Sequence, residues 1–333
     1  MVSIADVEKV LKEKGGLIDK ELERVLPKRS GDNLYEAVWY HLNTGGKRVR
    51  PALALMACDS LGGESKNALP FAAACELLHN WLLIHDDIED GDEVRRSQPT
   101  VWKKYGVSHA INVGDLMAHK VLELVLETKS KGVDEETVFA LTGLIVKTAI
   151  HTAEGQAQDM NMGRSRDADE KEYMEMVMNK TGYYLTAPII GGAMIGGAGK
   201  KDIERIVEFG RNAGPAYQIA DDILDLTEGK GRNDIARDVK EGKRTIMVIH
   251  CLSKCTPGEK KVILDMLDKP AAAKTKDDIN FVLAMLERYR SIEYARGRAE
   301  ELMEKAKKAI KPLPDDLRAL LEMFADYLIN RKT

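Results

Sequence analysis

The chain has 333 residues, of which 44% are hydrophobic and 31% are charged, with a formal net charge of -4 at pH 7. This length and composition allow a sizeable core and are compatible with one large domain or two. Acidic and basic residues are spread along the whole chain without a basic stripe, so nucleic acid is not an expected partner.

The cysteines and the N-terminus give no sign of a metal site or a membrane segment. Of the four cysteines, only Cys251 and Cys255 lie close together, and no second pair is nearby. Buried reduced thiols are therefore expected rather than a zinc site. No uncharged stretch reaches the roughly 18 residues that a membrane span needs, and the N-terminus has no apolar signal region. We expect a soluble, cytoplasmic protein with no membrane span.

Helical periodicity fills nearly every segment between glycine and proline residues, and strictly alternating β-branched runs are missing. The sequence therefore predicts an all-α protein. No long linker or solenoid repeat interrupts the pattern, which favours a single domain over residues 1–333 built as one large helical bundle. The predicted helices span residues 3–14, 33–43, 51–61, 66–90, 108–128, 133–158, 168–182, 184–197, 201–228, 244–253, 257–267, 275–309 and 314–331.

One pattern of aspartates occurs twice, each time after an apolar helical run. Residues 86–90 read DDIED, and residues 221–225 read DDILD. On a helix the first and fifth residues of each pattern share a face, so each like-charge pair costs roughly 0.2–0.5 kcal/mol. Both patterns also lie near the C-terminal end of a predicted helix, where the helix dipole disfavours anions. Local helix stability therefore argues against both patterns.

Two explanations fit these acidic patterns. A solvated acidic surface explains a single run well, but two runs with apolar flanks make that explanation poorer. Paired aspartates one turn apart instead supply hard oxygen ligands for Mg²⁺, which prefers one or two carboxylates together with water and substrate phosphate. Bound metal would neutralise the like charges, so the sequence predicts a magnesium and phosphate site.

Cations that could hold phosphate occur in several places. In GGKRVRP, residues 45–51, the side chains of Lys47, Arg48 and Arg50 precede or flank Pro51, the predicted first residue of a helix. A helix N-terminus surrounded by cations is a phosphate site, although a solvated basic loop is the alternative.

Three further candidates are weak on their own. Arg95 and Arg96 could bind phosphate or pair with the acids just before them. Lys180 lies at the end of a predicted helix, where a lysine is ordinary. His79, two turns before Asp86, would more often be a hydrogen-bonded core histidine.

Taken together, these motifs resemble the polyprenyl diphosphate synthase family, the head-to-tail chain-elongating prenyltransferases that include farnesyl and geranylgeranyl diphosphate synthases. GGKRVRP resembles the basic loop of that family, residues 86–90 with Arg95 and Arg96 its first aspartate-rich motif, and Gln218 with residues 221–225 its second. The resemblance covers most of the chain in the family's order. Further matching segments are residues 112–115, Gly155 and Gln156 with Asp159, Lys180 with Thr181, and residues 241–245.

The resemblance implies a helical bundle of the isoprenoid synthase type around a deep central cavity, a homodimer, and catalysis with Mg²⁺. The implied substrates are isopentenyl diphosphate and an allylic diphosphate (dimethylallyl, geranyl or farnesyl). The allylic substrate loses pyrophosphate to leave a carbocation, which the double bond of isopentenyl diphosphate attacks. A proton is then lost to the departing pyrophosphate, so no side-chain base is required.

The resemblance also assigns roles to individual residues. The implied metal ligands are Asp86, Asp90 and Asp221, and the implied catalytic residues are Asp86, Asp87, Asp90, Asp221, Asp222, Asp225 and Lys180. The implied contacts to the allylic diphosphate are Arg95, Lys180, Thr181, Gln218 and Lys243. The implied contacts to isopentenyl diphosphate are Lys47, Arg50, His79 and Arg96.

The chain departs from the family pattern between the second aspartate motif and Lys243. The family usually has another lysine there in a Gly-Lys pair, whereas this chain reads GKGRNDIARDVKEGKRT. Lys230, Arg232 and Lys240 are the candidates to replace that phosphate contact, and the sequence does not choose among them.

Trp81 is the predicted determinant of product length. It precedes Asp86 by five residues on the same predicted helix, which places it roughly 7 to 8 Å deeper along the axis. Trp81 resembles the bulky aromatic residue that, in short-chain members of the family, forms the floor of the cavity and stops elongation. This resemblance predicts geranylgeranyl diphosphate as the main product, with farnesyl diphosphate as intermediate or co-product. The alternative is that Trp81 is a core or dimer-contact residue.

Two other functions are compatible with parts of the pattern. A class I terpene cyclase shares the metal chemistry but does not need a second diphosphate pocket of basic residues. A non-catalytic subunit of a heteromeric prenyl synthase would be expected to lose carboxylates from one motif. Both motifs are complete here, and the basic loop is present.

Overall fold

The computed structural model describes residues 4–227 and 235–329. These residues form an all-α protein, as predicted, with one short antiparallel hairpin. The elements, in chain order, are α1 Ile4–Val25, α2 Tyr35–Asn43, α3 Val49–Asp59, α4 Ser65–Glu89, β1 Val94–Arg95, β2 Gln98–Pro99, α5 Val101–Tyr105, α6 Val107–Glu127, a 3-10 turn Thr128–Lys131, α7 Glu135–Met162, α8 Glu170–Val177, a π-helical turn Met178–Gly182, α9 Tyr183–Ile195, α10 Lys200–Thr227, α11 Arg237–Glu241, α12 Ile246–Lys254, α13 Pro257–Leu267, a 3-10 turn Ala271–Ala273, α14 Lys276–Arg288, α15 Ser291–Ile310 and α16 Asp315–Ile329.

Two predicted helices differ most from the structure in their boundaries. The first was predicted to end at residue 14, but α1 continues to Val25 because Ile18 and Leu22 bury one face of its second half. This burial outweighs the helix cost of the two glycines before it. The predicted helix over residues 275–309 is interrupted at Arg290, whose left-handed backbone (φ 54°) separates α14 from α15.

The chain forms two compact units. Of the described residues, the first unit comprises 4–149, 187–203 and 314–320, and the second comprises 150–186, 204–227, 235–313 and 321–329. The single domain and the deep central cavity expected from the sequence stay predictions.

The first unit is organised around α4. This helix packs against α3 on one side and α6 on another. Its long apolar run buries Phe71, Leu77 and Ile84 completely, and α6 contributes Val113 and Met117 to the same core. Because α4 is anchored along its length, the aspartates at its C-terminal end are held on a rigid support.

The second unit contains α8, the π-helical turn and α11 to α15. The helix α15 packs against α12 and α14, and it buries a stripe of small and apolar side chains that includes Ala299, Leu302 and Ala306. Capping boxes begin α8, α13 and α14, each with a side chain that accepts from the third helical amide.

No helix in residues 4–227 and 235–329 is long and apolar enough to cross a membrane.

Candidate active site

The first aspartate cluster, Asp86, Asp87 and Asp90, lies at the C-terminal end of α4. Asp86 and Asp87 lie in its last turn, and Asp90 is the C-cap residue, whose amide donates to the carbonyl of Asp86 at 2.8 Å. Asp87 is buried, the side chain of Asp86 is 28% exposed, and Asp90 is exposed. The carboxylates of Asp86 and Asp90 are therefore accessible from outside, whereas that of Asp87 belongs to the interior.

Arg95 is the counterion of this cluster. Its Nε donates to Oδ1 of Asp87 at 2.5 Å, and its Nη2 donates to Oδ2 of Asp86 at 3.2 Å. The same Nη2 lies 3.7 Å from Oδ2 of Asp92. The sequence left open whether Arg95 pairs with nearby acids or holds phosphate, and the structure shows pairing with the aspartates.

Arg96 occupies the turn of the β1–β2 hairpin. The strands pair Val94 with Pro99 and Arg95 with Gln98, which leaves Arg96 and Ser97 as a two-residue turn with φ values of 51° and 60°. Positive φ at both positions matches the twist of a tight hairpin but is uncommon outside glycine and asparagine. The Arg96 guanidinium donates to the carbonyl of Gly45, which connects the hairpin to the basic loop.

The basic loop brings Arg50 to His79. Nη1 of Arg50 lies 3.4 Å from Nε2 of His79. Burial, followed by the positive charges of Arg50 and Arg96, lowers the pKa of His79 well below 6.5. His79 is therefore neutral and can accept from a guanidinium. Lys47 lies two residues before the start of α3 at Val49, and its side chain is exposed.

Arg48 has a structural role that the sequence did not separate from its neighbours. Its Nε donates to Asp19 at 3.0 Å and its Nη1 donates to Glu76 at 2.7 Å, so it ties α1 to α4. Arg48 is also the N-cap of α3, which begins at Val49. The prediction that Pro51 begins this helix is wrong by two residues, although Pro51 is still in the first turn, where its missing amide costs nothing.

Trp81 is fixed by a neighbouring histidine on α4. Its Nε1 donates to Nδ1 of His85 at 3.3 Å, and the two rings meet edge to face at 6.2 Å. A Cβ on Gly114 would lie 2.1 Å from Nε2 of His85, so the glycine of the segment 112–115 makes room for this ring. Trp81 is half-buried against the core of the first unit. Its role in product length stays a prediction.

The second aspartate cluster lies in the last turns of α10, and its carboxylates differ in burial. Asp221 is half-buried, whereas Asp222 and Asp225 are 4% and 2% exposed. Oδ1 of Asp222 accepts from Nε2 of Gln218 at 2.9 Å, and Oδ2 accepts from the hydroxyl of Tyr173 at 2.8 Å. Both oxygens of Asp222 are therefore used inside the protein.

The π-helical turn carries the two polar residues predicted beside this cluster. Lys180 donates to Oδ2 of Asp159 at 2.6 Å, and the Thr181 hydroxyl donates to Oε1 of Gln218 at 2.9 Å. A Cβ on Gly155 would lie 2.2 Å from the Lys180 amide nitrogen, so α7 can approach this turn only through a glycine. Single π turns inside helices are frequent at functional sites.

Asp225 connects the second cluster to α11. Its Oδ2 accepts from the amide of Asp238 at 2.9 Å. On the same segment, Nζ of Lys243 lies 3.0 Å from Glu241 and 3.5 Å from Asp238. Burial alone would raise the pKa of Glu241, but the charges of Lys243 and Arg237 lower it overall.

Of the candidates to replace the family lysine, Lys230 and Arg232 lie outside the described residues. Lys240 is half-buried on α11. The choice among these three therefore stays open.

Each aspartate cluster, taken by itself, offers carboxylates that suit Mg²⁺. Within residues 4–227 and 235–329, no group of three or more His, Cys, Asp or Glu side chains is arranged to hold a metal. In the first cluster the accessible carboxylates are those of Asp86 and the C-cap residue Asp90, and in the second cluster Asp221 is more accessible than Asp222 and Asp225. One or two carboxylates, with water and phosphate completing the shell, is the coordination that Mg²⁺ prefers.

The sequence did not predict a role for Tyr173, whose hydroxyl donates to Asp222 of the second cluster, 49 residues later in the chain. Its only sequence signal was its position on a predicted amphipathic helix, seven residues before Lys180, and that position is equally typical of a core aromatic.

Comparisons with known proteins identify the family of the chain. A family model described as Polyprenyl synthetase matches residues 31–286. The geranylgeranyl diphosphate synthase of Sulfolobus acidocaldarius is 36% identical over 310 residues, covering 91% of this chain and 93% of that protein. The geranylfarnesyl diphosphate synthase of Aeropyrum pernix is 33% identical over 310 residues, covering 90% of this chain and 95% of that protein.

Among solved structures, the geranylgeranyl pyrophosphate synthetase of Pyrococcus horikoshii superposes with a TM-score of 0.90 at 34% identity, covering 98% of this chain and 99% of that one. This similarity confirms the predicted helical bundle of the isoprenoid synthase type. The chain therefore belongs to the polyprenyl synthetase family.

Proposed function

We propose that the protein is a Mg²⁺-dependent prenyltransferase. It condenses isopentenyl diphosphate head to tail with dimethylallyl, geranyl or farnesyl diphosphate, with geranylgeranyl diphosphate as the main product and farnesyl diphosphate as intermediate or co-product. The observation that carries this proposal is the pair of aspartate clusters, each with accessible carboxylates and its own basic side chains. Membership of the polyprenyl synthetase family supports it.

The allylic diphosphate must lose pyrophosphate, so negative charge has to be stabilised on the leaving group. Asp86, Asp90 and Asp221 would hold Mg²⁺, which supplies Lewis acid charge when bound. Lys180 and Lys243 would add fixed positive charge beside the leaving group. Their carboxylate partners, Asp159 at 2.6 Å and Glu241 at 3.0 Å, hold both ammonium groups in defined positions.

Isopentenyl diphosphate would bind to the basic side chains of the first unit. Lys47 is exposed, and Nη1 of Arg50 lies 3.4 Å from Nε2 of a neutral histidine, His79. A neutral acceptor orients the guanidinium without cancelling its charge. With Arg96, these groups would place the double bond beside the carbocation, an effect of orientation.

Asp222 and Asp225 would support the site without binding the metal. The two oxygens of Asp222 accept from Gln218 and Tyr173, and Asp225 accepts from the backbone of α11. The resemblance already limited the implied metal ligands to Asp86, Asp90 and Asp221, and these hydrogen bonds support a positioning role for Asp222 and Asp225.

Product length would be set by Trp81. The relatives include enzymes named for products of different length, so membership of the family does not decide the chain length here. Trp81 precedes Asp86 on the same helix and is held by His85, which gives a growing tail a fixed aromatic obstacle.

A homodimer in the cytoplasm is part of the proposal. On α7, Phe139 is 82% exposed and Val146 is 41% exposed, two turns apart on one face. Exposed apolar side chains that share one helix face support the proposal that a second copy of the chain covers this face. Light scattering of the parent and of Phe139→Glu tests it, with a dimer expected for the parent and a smaller mass for the variant.

The experiment that tests the activity is incubation of the purified protein with isopentenyl diphosphate, one allylic primer at a time, and Mg²⁺. Chromatography of the dephosphorylated products should show prenols longer than the primer, and excess chelator should abolish them. A cyclic hydrocarbon formed from the primer alone would favour a terpene cyclase. No product with any primer would favour a non-catalytic subunit.

A further inference from the structure

The side chain of Tyr173 lies on α8 and is 1% exposed. Its hydroxyl donates to Oδ2 of Asp222 at 2.8 Å. Burial, followed by the negative charge of Asp222, raises the pKa of Tyr173 well above 10, so the hydroxyl keeps its proton. A buried phenol that donates to a buried carboxylate has a more specific task than filling the core.

Hydrogen bonds continue from Asp222 to the π-helical turn. Oδ1 of Asp222 accepts from Nε2 of Gln218, and Oε1 of Gln218 accepts from the Thr181 hydroxyl at 2.9 Å. The amide of Gln218 can satisfy both partners in only one orientation, because its oxygen faces the donor and its nitrogen faces the carboxylate. The direction of the whole chain from Tyr173 to Thr181 is therefore determined.

The geometry points to a new role for Tyr173, and we propose that it is a positioning residue for the allylic diphosphate pocket. It holds Asp222, and through Gln218 it keeps the turn that carries Lys180 and Thr181 in a fixed relation to α10. This inference rests on the proposed function and adds a residue to it. Because Tyr173 is 1% exposed, it would act through Asp222 and Gln218 and not by touching the substrate.

Tyr173→Phe tests the role because it removes one oxygen and leaves the ring. Asp222 then keeps its hydrogen bond from Gln218 but loses its phenolic donor, so Asp222, Gln218 and the turn are held less rigidly. We expect the KM for the allylic diphosphate to rise about tenfold, the scale of one lost bond to a charged group. The KM for isopentenyl diphosphate should stay within about twofold of the parent value.

Tyr289→Phe is the matched control. The Tyr289 hydroxyl donates to a carboxylate, Oε2 of Glu259, at 2.7 Å, and Glu259 is not among the residues assigned to the site. Tyr289→Phe and Tyr173→Phe each remove one hydroxyl that donates to a carboxylate. Both KM values should equal those of the parent in this control.

A second measurement does not depend on turnover. If Tyr173 acts through Asp222, its removal should matter less when the carboxylate is replaced by a neutral amide, which needs fewer donors. The loss of melting temperature caused by Tyr173→Phe should therefore shrink by at least about half in the Asp222→Asn background. Should Tyr173→Phe alone fail to fold, recovery of folding in the double variant has the same meaning.

The outcomes separate the two levels of the proposal. An inactive parent overturns the proposed function. An active parent, together with equal changes in both KM values or no change for Tyr173→Phe, overturns the positioning role alone. Additive effects of Tyr173→Phe and Asp222→Asn on melting temperature, or a double variant that also fails to fold, likewise overturn it. An allylic KM that rises alone, with coupling between the two residues, supports it.

Discussion

The two aspartate clusters share one sequence pattern but have different surroundings. In the first cluster the countercharge is a guanidinium, because Arg95 contacts Asp86 and Asp87. In the second cluster, Asp222 accepts from two neutral groups, a phenol and an amide. Among the contacts described, a charged group therefore holds the buried aspartate of the first cluster, Asp87, whereas neutral donors hold Asp222 of the second.

This difference affects what each cluster can do when a metal or a substrate arrives. An arginine that pairs with an accessible aspartate can be displaced and can turn to a phosphate, since both partners are good hydrogen-bond acceptors. A buried carboxylate held by neutral donors has no such freedom, because leaving either donor unpaired is costly. We infer that the first cluster is the adaptable one and that the second is preorganised.

The largest expected effect tests what the clusters have in common. Asp86→Ala and Asp221→Ala should each lower turnover by about 100-fold or more, the scale of losing a group that stabilises charge in the transition state. Melting temperatures should stay near or above that of the parent, because each variant removes a like-charge pair. Product assays at saturating Mg²⁺ and thermal denaturation measure the two quantities. Near-parent turnover in either variant would contradict metal binding by that cluster.

Asp222→Ala sharpens the comparison, because it should behave differently from Asp86→Ala. It leaves the hydroxyl of Tyr173 and the amide of Gln218 without their acceptor, which costs about 1–3 kcal/mol of unfolding free energy. Chemical denaturation without Mg²⁺ measures this quantity for both variants. Equal stability of the two would mean that the second cluster is not built on its hydrogen bonds.

The substrate pockets extend the comparison to kinetics. Lys47→Ala should raise the KM for isopentenyl diphosphate about tenfold, the loss expected for a charged contact, and should affect the primer less. Lys180→Ala should show the opposite preference. Initial rates with each substrate varied in turn decide the assignment, and an equal effect on both substrates would defeat it.

Trp81 belongs to the helix of the first cluster, so product length should respond to changes there. Trp81→Ala opens space about one and a half turns before Asp86 and should shift the products toward longer chains. Chromatography of the dephosphorylated products from parent and variant measures the distribution. If a folded, active variant gives the parent distribution, the floor that limits elongation lies elsewhere.

The smallest effect concerns pH, and it arises in the first unit. His41 is buried, and burial, followed by the charges of Arg96 and Arg95, lowers its pKa from 6.5 to about 3. Between these values the unfolded chain binds a proton that the folded chain does not. The contribution of neutral His41 to the free energy of unfolding is therefore fully present above pH 6.5. Below pH 6.5 the free energy of unfolding falls with decreasing pH, by up to about 1.4 kcal/mol per pH unit.

His41→Gln should remove this part of the slope when unfolding free energy is followed from pH 7 to 5. The matched control is His119→Gln, which changes an exposed histidine on α6 and should keep the parent slope. A parent slope that is unchanged by His41→Gln would assign the pH dependence to other groups.

Much of the fold could be predicted because the periodicity of apolar residues along a short stretch of chain indicates a helix. The predicted helices over residues 66–90 and 257–267 match α4 and α13 within one residue at each end. The failures came from longer-range causes. Burial of Ile18 and Leu22 allows α1 to continue past two glycines. The left-handed backbone of Arg290 separates two helices that the sequence pattern predicted as one.

The candidate site shows the same division. The sequence by itself determined that two aspartate patterns, a basic loop and several flanking cations exist, because spacing along a helix and residue chemistry are local properties. Only the tertiary structure decided that Arg48 is a structural tie, that Arg95 rests on Asp86 and Asp87, and that Asp222 is buried against Tyr173. These contacts join residues that are distant in sequence or separated by a turn. Burial, which selects between an open carboxylate and a buried one, is a property of packed helices and not of any single stretch of chain.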